Sequence, residues 1–319
     1  MRVLVTGAAG FIGANLCALL ARDGGISVTA LDDFSTGALD NLHDVDVELV
    51  EGSILNASTL DRVTDGVDAV VHLAARPSVP RSLEDPMATH TVNATGTMEV
   101  LEAARRAGNP QMIVASSSSV YGANPVIPKT EDLPTFPVSP YAASKLATEA
   151  YALSYQYSFG LPVLAFRFFN VFGPLQDAGH AYAAVVPAFV SAALRDDPLI
   201  VHGDGKQTRD FTSVETVSRV ITAAIHRRVT LPEPLNLAFG TRTSLLELIA
   251  LLERILGRPL PVEHVAPRAG DVRHSQADSS RVRDLFSDIE PLDLEAAVRS
   301  TVDWFRSGRR EDSPSRRGR

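Results

Sequence analysis

The chain has 319 residues, a formal net charge of −8, 45% hydrophobic residues and 21% charged residues. That describes one large or two moderate globular units with ample core, and the acidic balance argues against general nucleic-acid affinity, so an anionic ligand must meet local positive groups. Cys17 is the single cysteine, which fits a reducing compartment. No signal-peptide pattern opens the chain and no apolar run is long enough to span a bilayer, so the expectation is a cytoplasmic protein with no membrane partner and no metal.

Arg2 to Thr6 reads as a buried strand running into Gly7-Ala8-Ala9-Gly10-Phe11-Ile12-Gly13, with a helix over Ala14 to Arg22. A strand, a glycine turn and a helix N-terminus make a phosphate cradle, because small residues admit the pyrophosphate and free N–H groups favour its charge. The plain alternative for such a triplet is a tight strand-to-helix turn. Val28 to Leu31 is the second strand, ended by Asp32 and Asp33. An acid about 20 residues beyond the glycines is where a ribose 2′-OH is expected. Asp32 fits, and its charge would repel a 2′-phosphate, which favours NAD over NADP; otherwise Asp33 and Ser35 simply shape a loop.

Val45 to Val50 and Asp68 to Leu73 read as strands three and four, the latter ending in His72-Leu73-Ala74-Ala75. His72 reads as a packed strand-end histidine. Residues 88 to 107 read as one long helix ended by Gly108. Within it, Asn93 either meets backbone of a neighbouring element or is a tolerated polar residue. Gln111 to Ala115 is the fifth strand. Strands alternating with helices indicate a mixed α/β fold with a Rossmann-like, doubly wound parallel sheet. Ligands bind such sheets at the C-terminal strand ends, where Gly7, Asp32, Ala74 and the run Ser116-Ser117-Ser118-Ser119 all fall. One of these serines can bond a substrate hydroxyl.

Five prolines between 123 and 140 mark an ordered loop that delivers Ser139-Pro140-Tyr141-Ala142-Ala143-Ser144-Lys145 onto a helix over 139–159. Tyr141 and Lys145, four apart, share a helix face. An ammonium beside a phenol favours the phenolate, which makes the tyrosine a usable proton carrier. Such spacing also arises by chance on exposed helix faces.

The set Thr6-Gly7-Ala8-Ala9-Gly10-Phe11-Ile12-Gly13, His72-Leu73-Ala74-Ala75, Ser116-Ser117-Ser118-Ser119-Val120-Tyr121-Gly122 and Tyr141-x-x-x-Lys145 resembles the extended short-chain dehydrogenase/reductase family, and within it the NAD-dependent nucleotide-sugar epimerases and dehydratases. The resemblance implies Ser117, Tyr141 and Lys145 as catalytic residues. It places NAD against Gly7, Gly10, Phe11, Ile12 and Gly13, and against Asp32, Asp33, Ile54, Leu73, Ala74 and Ala75. It adds Asn93, Ser116, Tyr141, Lys145 and Phe168 to the cofactor side. Ser53 stands where the family commonly has an aspartate on the adenine amino group; a serine can still accept a hydrogen bond.

Pro162 to Phe168 is the sixth strand, leading into Asn170-Val171-Phe172-Gly173. Further elements are expected over 181–194, 212–227, 235–238, 244–256 and 293–307. By resemblance, Asn170 contacts the substrate diphosphate, Arg209 of Thr208-Arg209-Asp210-Phe211 and Arg268 clamp it, and Asp271 holds the nucleotide ribose; a guanidinium suits bidentate phosphate contacts. Similar 4,6-dehydratases carry Asp-Glu where this chain has Ser118-Ser119, and related decarboxylases carry Glu at the position of Ser119. Hydroxyls there, with Ser117 facing the sugar, point to C4 epimerisation of a UDP-hexose through a transient 4-keto sugar. Ser275 stands where epimerases restricted to plain glucose and galactose carry tyrosine, leaving room for a 2-acetamido group. A uronic acid stays open, with Arg76, Arg81, Arg273 and His274 as candidates for its carboxylate. A nucleotide-sugar dehydratase or oxidoreductase, or a non-enzymatic NAD(H)-sensing regulator, are the other readings. The resemblance further implies an NAD-binding domain over 1–174 with roughly 210–240 returning to it, a mainly substrate-binding domain over 175–307, and homodimerisation through the 88–107 and 139–159 helices. Residues 308–319, with five arginines and two acids, read as a disordered basic tail.

Overall fold

The computed structural model describes residues 1–179, 183–267 and 273–308; Arg268, Asp271, the start of the helix expected from 181 and nearly all of the basic tail lie outside them. In chain order the elements are β1 (Arg2–Thr6), α1 (Phe11–Leu20), β2 (Ser27–Asp32), β3 (Glu48–Glu51), α2 (Ala57–Thr64), β4 (Ala69–His72), α3 (Val79–Glu84), α4 (Pro86–His90) and α5 (Gly96–Arg106). They continue as β5 (Gln111–Ser117), α6 (Pro140–Phe159), β6 (Val163–Phe168), β7 (Asn170–Phe172), α7 (Val185–Leu194), β8 (Leu199–His202), β9 (Thr208–Arg209), β10 (Phe211–Ser213) and α8 (Val214–His226). The chain ends with β11 (Leu235–Leu237), β12 (Thr243–Ser244), α9 (Leu245–Leu256), β13 (Val262–Val265), α10 (Ser280–Leu285) and α11 (Leu294–Arg306).

Seven strands form one sheet in the order β11-β6-β5-β4-β1-β2-β3, and every pairing is parallel. The near-continuous apolar strands follow from that, because helices cover both faces. Val3, Val5, Ile113, Ala115 and Phe166 pack on one face against Leu16, Leu20, Val217 and Ile221 of α1 and α8. Leu4, Val70, Met112, Val114 and Ala165 pack on the other against Leu60, Val100, Leu101 and Ala152 of α2, α5 and α6. A third core joins α7, α9 and α11 through Phe189, Leu248, Leu252, Val298 and Val302, with two-stranded parallel sheets β7–β10 and β8–β13 beside it.

Two expected elements differ. The third strand begins at Glu48, the first residue to pair with β2, while Val45 and Val47 pack from the preceding loop. The helix expected over 88–107 is interrupted by a π turn at Thr91–Thr95. The Asn93 carbonyl accepts the hydroxyls of Thr97 (2.6 Å) and Thr148 (2.8 Å), so side chains satisfy it where the regular ladder is broken.

Helix α6 is fixed to the sheet by charge. Arg167, next to last in buried β6, meets the Glu149 carboxylate at 2.6 and 2.9 Å, and Ser116 of β5 donates to the same carboxylate at 2.8 Å. The Arg167 guanidinium also lies 4.7 Å from the Tyr121 ring centroid and donates to Glu131 O. Both charged side chains are 5% exposed. Removing one partner leaves the other buried and unpaired, which costs about 3–5 kcal/mol. Glu149→Gln is therefore expected to lower the denaturant midpoint by a corresponding amount in equilibrium unfolding; an unchanged midpoint would show that the pair does not hold the helix.

Candidate active site

A cleft of about 500 Å³ opens at the C-terminal strand ends. Its first wall is the glycine turn. Gly7 has φ +70°, and a Cβ there would lie 2.6 Å from Ala74 N. A Cβ on Gly13 would lie 2.2 Å from Gly7 O. Only glycine allows this turn, and it keeps the α1 N-terminus open to a pyrophosphate. Gly10, Phe11 and Ile12 line the cleft beside them.

Asp32 and Asp33 line the next wall. The Asp32 carboxylate accepts from Ala9 N and Phe34 N, both at 2.8 Å, so it braces the glycine turn from the ribose position. Burial raises its pKa, and those backbone donors oppose the rise. Asp33 accepts from Ser35 N at 3.0 Å, a turn-shaping bond. Leu73, Ala74, Ala75 and Ile54 also line the cleft, with Phe168. Ser53 is not among the lining residues; its hydroxyl accepts from Leu55 N at 3.3 Å. Asn93 is buried and bonds both backbone groups of Arg76 (2.7 and 3.2 Å) and Ser144 Oγ (2.9 Å). It braces the loop after β4 from behind. His72 is buried between Thr6 and Thr97, and burial, then the Lys145 charge, lowers its pKa to about 3; it is neutral at any working pH.

The reactive end of the cleft is built by β5 and α6. Ser139 caps α6 by accepting from Ala142 N at 3.1 Å, with Pro140 in the first turn. That start places Tyr141 and Lys145 on one face, and both line the cleft with Ser116 and Ser117. Ser117 and the Tyr141 phenol share this end of the lining, and the Ser117 hydroxyl favours the phenolate. Lys145 Nζ donates to Ala115 O at 2.9 Å, and burial brings its pKa down to about 8. The expected depression of the phenol by Lys145 does not arise from the protein's own groups: burial raises the Tyr141 pKa, and only the Ser117 hydrogen bond opposes it. The lysine charge is turned to the Ala115 carbonyl.

Ser118 and Ser119 begin a 3₁₀ turn over Ser118–Tyr121, and Ser119 faces Ser117 (2.9 Å). Asn170 pairs with Phe211 and donates its side-chain amide to Asp210 O at 3.3 Å. Arg209 donates to Thr208 O at 2.9 Å, and Ser275 N to Thr208 O at 3.0 Å. Asn170, Arg209 and Ser275 thus form a second cluster, outside the lining of the main cleft. Asp210, missed in the sequence, ties it together. Its fully buried carboxylate accepts from Gly240 N, Thr241 N, Thr241 Oγ1 and Ala277 N at 3.0–3.2 Å. A second depression of about 430 Å³ lies at the opposite, N-terminal strand ends around Arg2, Thr29 and Asp46; it holds none of this chemistry.

Residues 3–238 match the model of the NAD dependent epimerase/dehydratase family. The chain is 38% identical over 313 residues to a UDP-glucose 4-epimerase of Mycolicibacterium smegmatis, covering 96% of this chain and 99% of that one. Among solved structures, a UDP-N-acetylglucosamine 4-epimerase from Methanobrevibacter ruminantium M1, in complex with UDP-N-acetylmuramic acid, superposes with a TM-score of 0.90 at 34% identity, covering 96% and 98% of the two chains. An NAD dependent-NDP-hexosamine 5,6-dehydratase, TunA, involved in tunicamycin biosynthesis, superposes at 0.87 and 31% identity, covering 96% and 98%. The fold and site thus define an NAD-dependent extended short-chain dehydrogenase/reductase. Within that class the chain belongs to the NAD dependent epimerase/dehydratase family.

Burial, opposed by its four donors, raises the Asp210 pKa from 3.8 to about 6. Between these values the folded protein holds a proton that the unfolded chain releases. The group's contribution to stability is therefore fully present below about pH 4 and lost as pH rises through about 6. Urea unfolding of the wild type should show this loss, on the order of 2 kcal/mol, and Asp210→Asn should remove that slope; identical pH slopes would contradict it.

Proposed function

We propose that the protein interconverts the C4 epimers of a UDP-hexose, with bound NAD and no net redox change. The observation that carries this reading is the group Ser117, Tyr141 and Lys145 at the β5–α6 edge of the cleft, where, among the described residues, no carboxylate of those elements lines the cleft: Glu149 is turned away to Arg167 and Ser116. The acids lining the cleft, Asp32, Asp33 and Asp177, come from the end of β2 and the loop after β7. Expelling water needs an acid and a base at the sugar, and Ser118 and Ser119 supply neither. That separates this chain from a dehydratase reading.

The glycine cradle and Asp32 fit NAD, and Phe168, Ala74 and Ser116 fit its nicotinamide end. Bound there, NAD would supply reversible hydride transfer at the sugar C4. Tyr141 takes the O4 proton and later returns it. Ser117 donates to the phenolate and, once the phenol is protonated, to the sugar oxygen. The positive charge that NAD would bring favours the phenolate against the burial that opposes it, while Lys145 holds the Ala115 carbonyl behind the site. The 4-keto sugar turns over in the cleft before hydride returns to its other face. Asn170, Arg209, Arg268, Asp271 and Ser275 hold the UDP and sugar. The small Ser275 admits an N-acetylhexosamine as well as a hexose. Arg81 favours a uronic acid as the second reading: of the four candidates for a carboxylate, it alone lines the cleft. Arg76 pairs with Asp85, Arg273 with Asp204 and His274 with Thr208. A homodimer through α4–α5 and α6 is the assembly we propose, with Met87, Tyr151 and Tyr157 exposed on those helices.

Incubation with UDP-glucose, UDP-N-acetylglucosamine and UDP-glucuronate, without added cofactor, is expected to give equilibrating C4 epimers of at least one by NMR. A 4-keto or unsaturated product would overturn the reading, and inertness with all three would favour a regulator. Tyr141→Phe is expected to bind the sugar nucleotide normally while turnover falls about a thousandfold; retained epimerisation would exclude Tyr141 as the base.

A further inference from the structure

We propose that Ser119 is a positioning residue whose hydroxyl holds the Ser117 hydroxyl with its proton directed at the Tyr141 phenol oxygen. This rests on the role of Tyr141 proposed above and adds a residue behind it.

A serine hydroxyl has one proton to donate and two lone pairs to accept with. Both lone pairs of Ser117 are filled from one residue. Ser119 Oγ donates to Ser117 Oγ at 2.9 Å, and Ser119 N donates to the same oxygen at 3.2 Å. The Ser117 proton is what remains, and the Tyr141 phenol, which lines the same end of the cleft and whose rise in pKa Ser117 opposes, is the group it can serve. The polarity of that bond matters. Donated to the phenol oxygen, it stabilises the phenolate; with the proton turned away, Ser117 accepts from the phenol and stabilises the acid form.

Ser119 is well placed to set this polarity. It lies in the 3₁₀ turn Ser118–Tyr121, and the next two side chains, Val120 and Tyr121, are buried. Tyr121 Oη donates to Asn236 Oδ1 at 2.7 Å, which anchors the turn to β11. The turn fixes the Ser119 backbone, and its hydroxyl is directed at Ser117. A plain turn-capping role needs only the backbone bond from Ser119 N; the additional hydroxyl bond is what the proposal explains.

The test uses the NAD-loaded protein. Ionisation of Tyr141 is followed by near-ultraviolet difference absorbance against Tyr141→Phe, without sugar nucleotide, in wild type, Ser119→Ala and Ser119→Thr. The alanine variant keeps the backbone donor and loses the hydroxyl. Its phenol is expected to titrate at higher pH, and the threonine variant at the wild-type midpoint. With a UDP-hexose, kcat of Ser119→Ala below the midpoint should fall about tenfold with KM within about twofold, and the profiles should converge at high pH, as expected for a shifted base. Wild-type midpoints and profiles in Ser119→Ala would overturn the proposal. Should that variant fail to fold, Ser119→Cys, of similar size and a weaker donor, is titrated in its place. A wild type that turns over no UDP-hexose would sink the epimerase reading, while the titration would still decide the role of Ser119.

Discussion

The Glu149–Arg167 ion pair is the constraint on which the reactive end of the cleft depends. It joins α6 to β6 in the dry interior, and Ser116 on β5 shares the same carboxylate. Glu149 lies one helical turn beyond Lys145, which lies one turn beyond Tyr141. A helix fixed at Glu149 and capped at Ser139 has little freedom to rotate or slide. Tyr141 is thereby held against Ser117, at the end of the strand that also carries Ser116. A buried ion pair is weak evidence for stability, since desolvation offsets much of the attraction. Its value here is register, the use for which buried charges are best attested.

The polar interior divides into two halves with separate knots. Glu149–Arg167 serves the hydride and proton end, while Asp210 gathers Gly240, Thr241 and Ala277 under the cluster of Asn170, Arg209 and Ser275. Proton handling at the reactive end uses hydroxyls and a phenol in place of carboxylates. Burial alone raises that phenol. In the proposed reaction, positive charge at the cofactor site would favour the phenolate against that burial.

Much of this was legible in the sequence because it rests on local rules. The glycine turn after β1, Asp32 at the end of β2 and the Tyr141–Lys145 spacing are set by neighbours a few residues apart, and all meet in one cleft. What escaped depends on distant partners. Asn93 reads as meeting backbone of a neighbouring element or as a tolerated polar residue; the first holds, but only the fold shows that the backbone is that of Arg76. The π turn has no signal in the 3.6-residue period, because hydroxyls of Thr97 and Thr148 create it. Asp210 sits in a recognised motif behind a more conspicuous arginine, and its donors lie 30 and 67 residues away. Arg167 did leave a sign: a lone charge in an otherwise apolar strand requires a buried partner, and Glu149 stands four residues after Lys145.

The central claim is that one hydride leaves the sugar C4 and returns to the same carbon while Tyr141 carries one proton. A UDP-hexose deuterated at C4 tests it most directly. Retention of deuterium at C4 in both epimers at equilibrium, with no accumulation of NADH, is the predicted result. Loss of the label to water, or its appearance on another carbon of the ring, would contradict it.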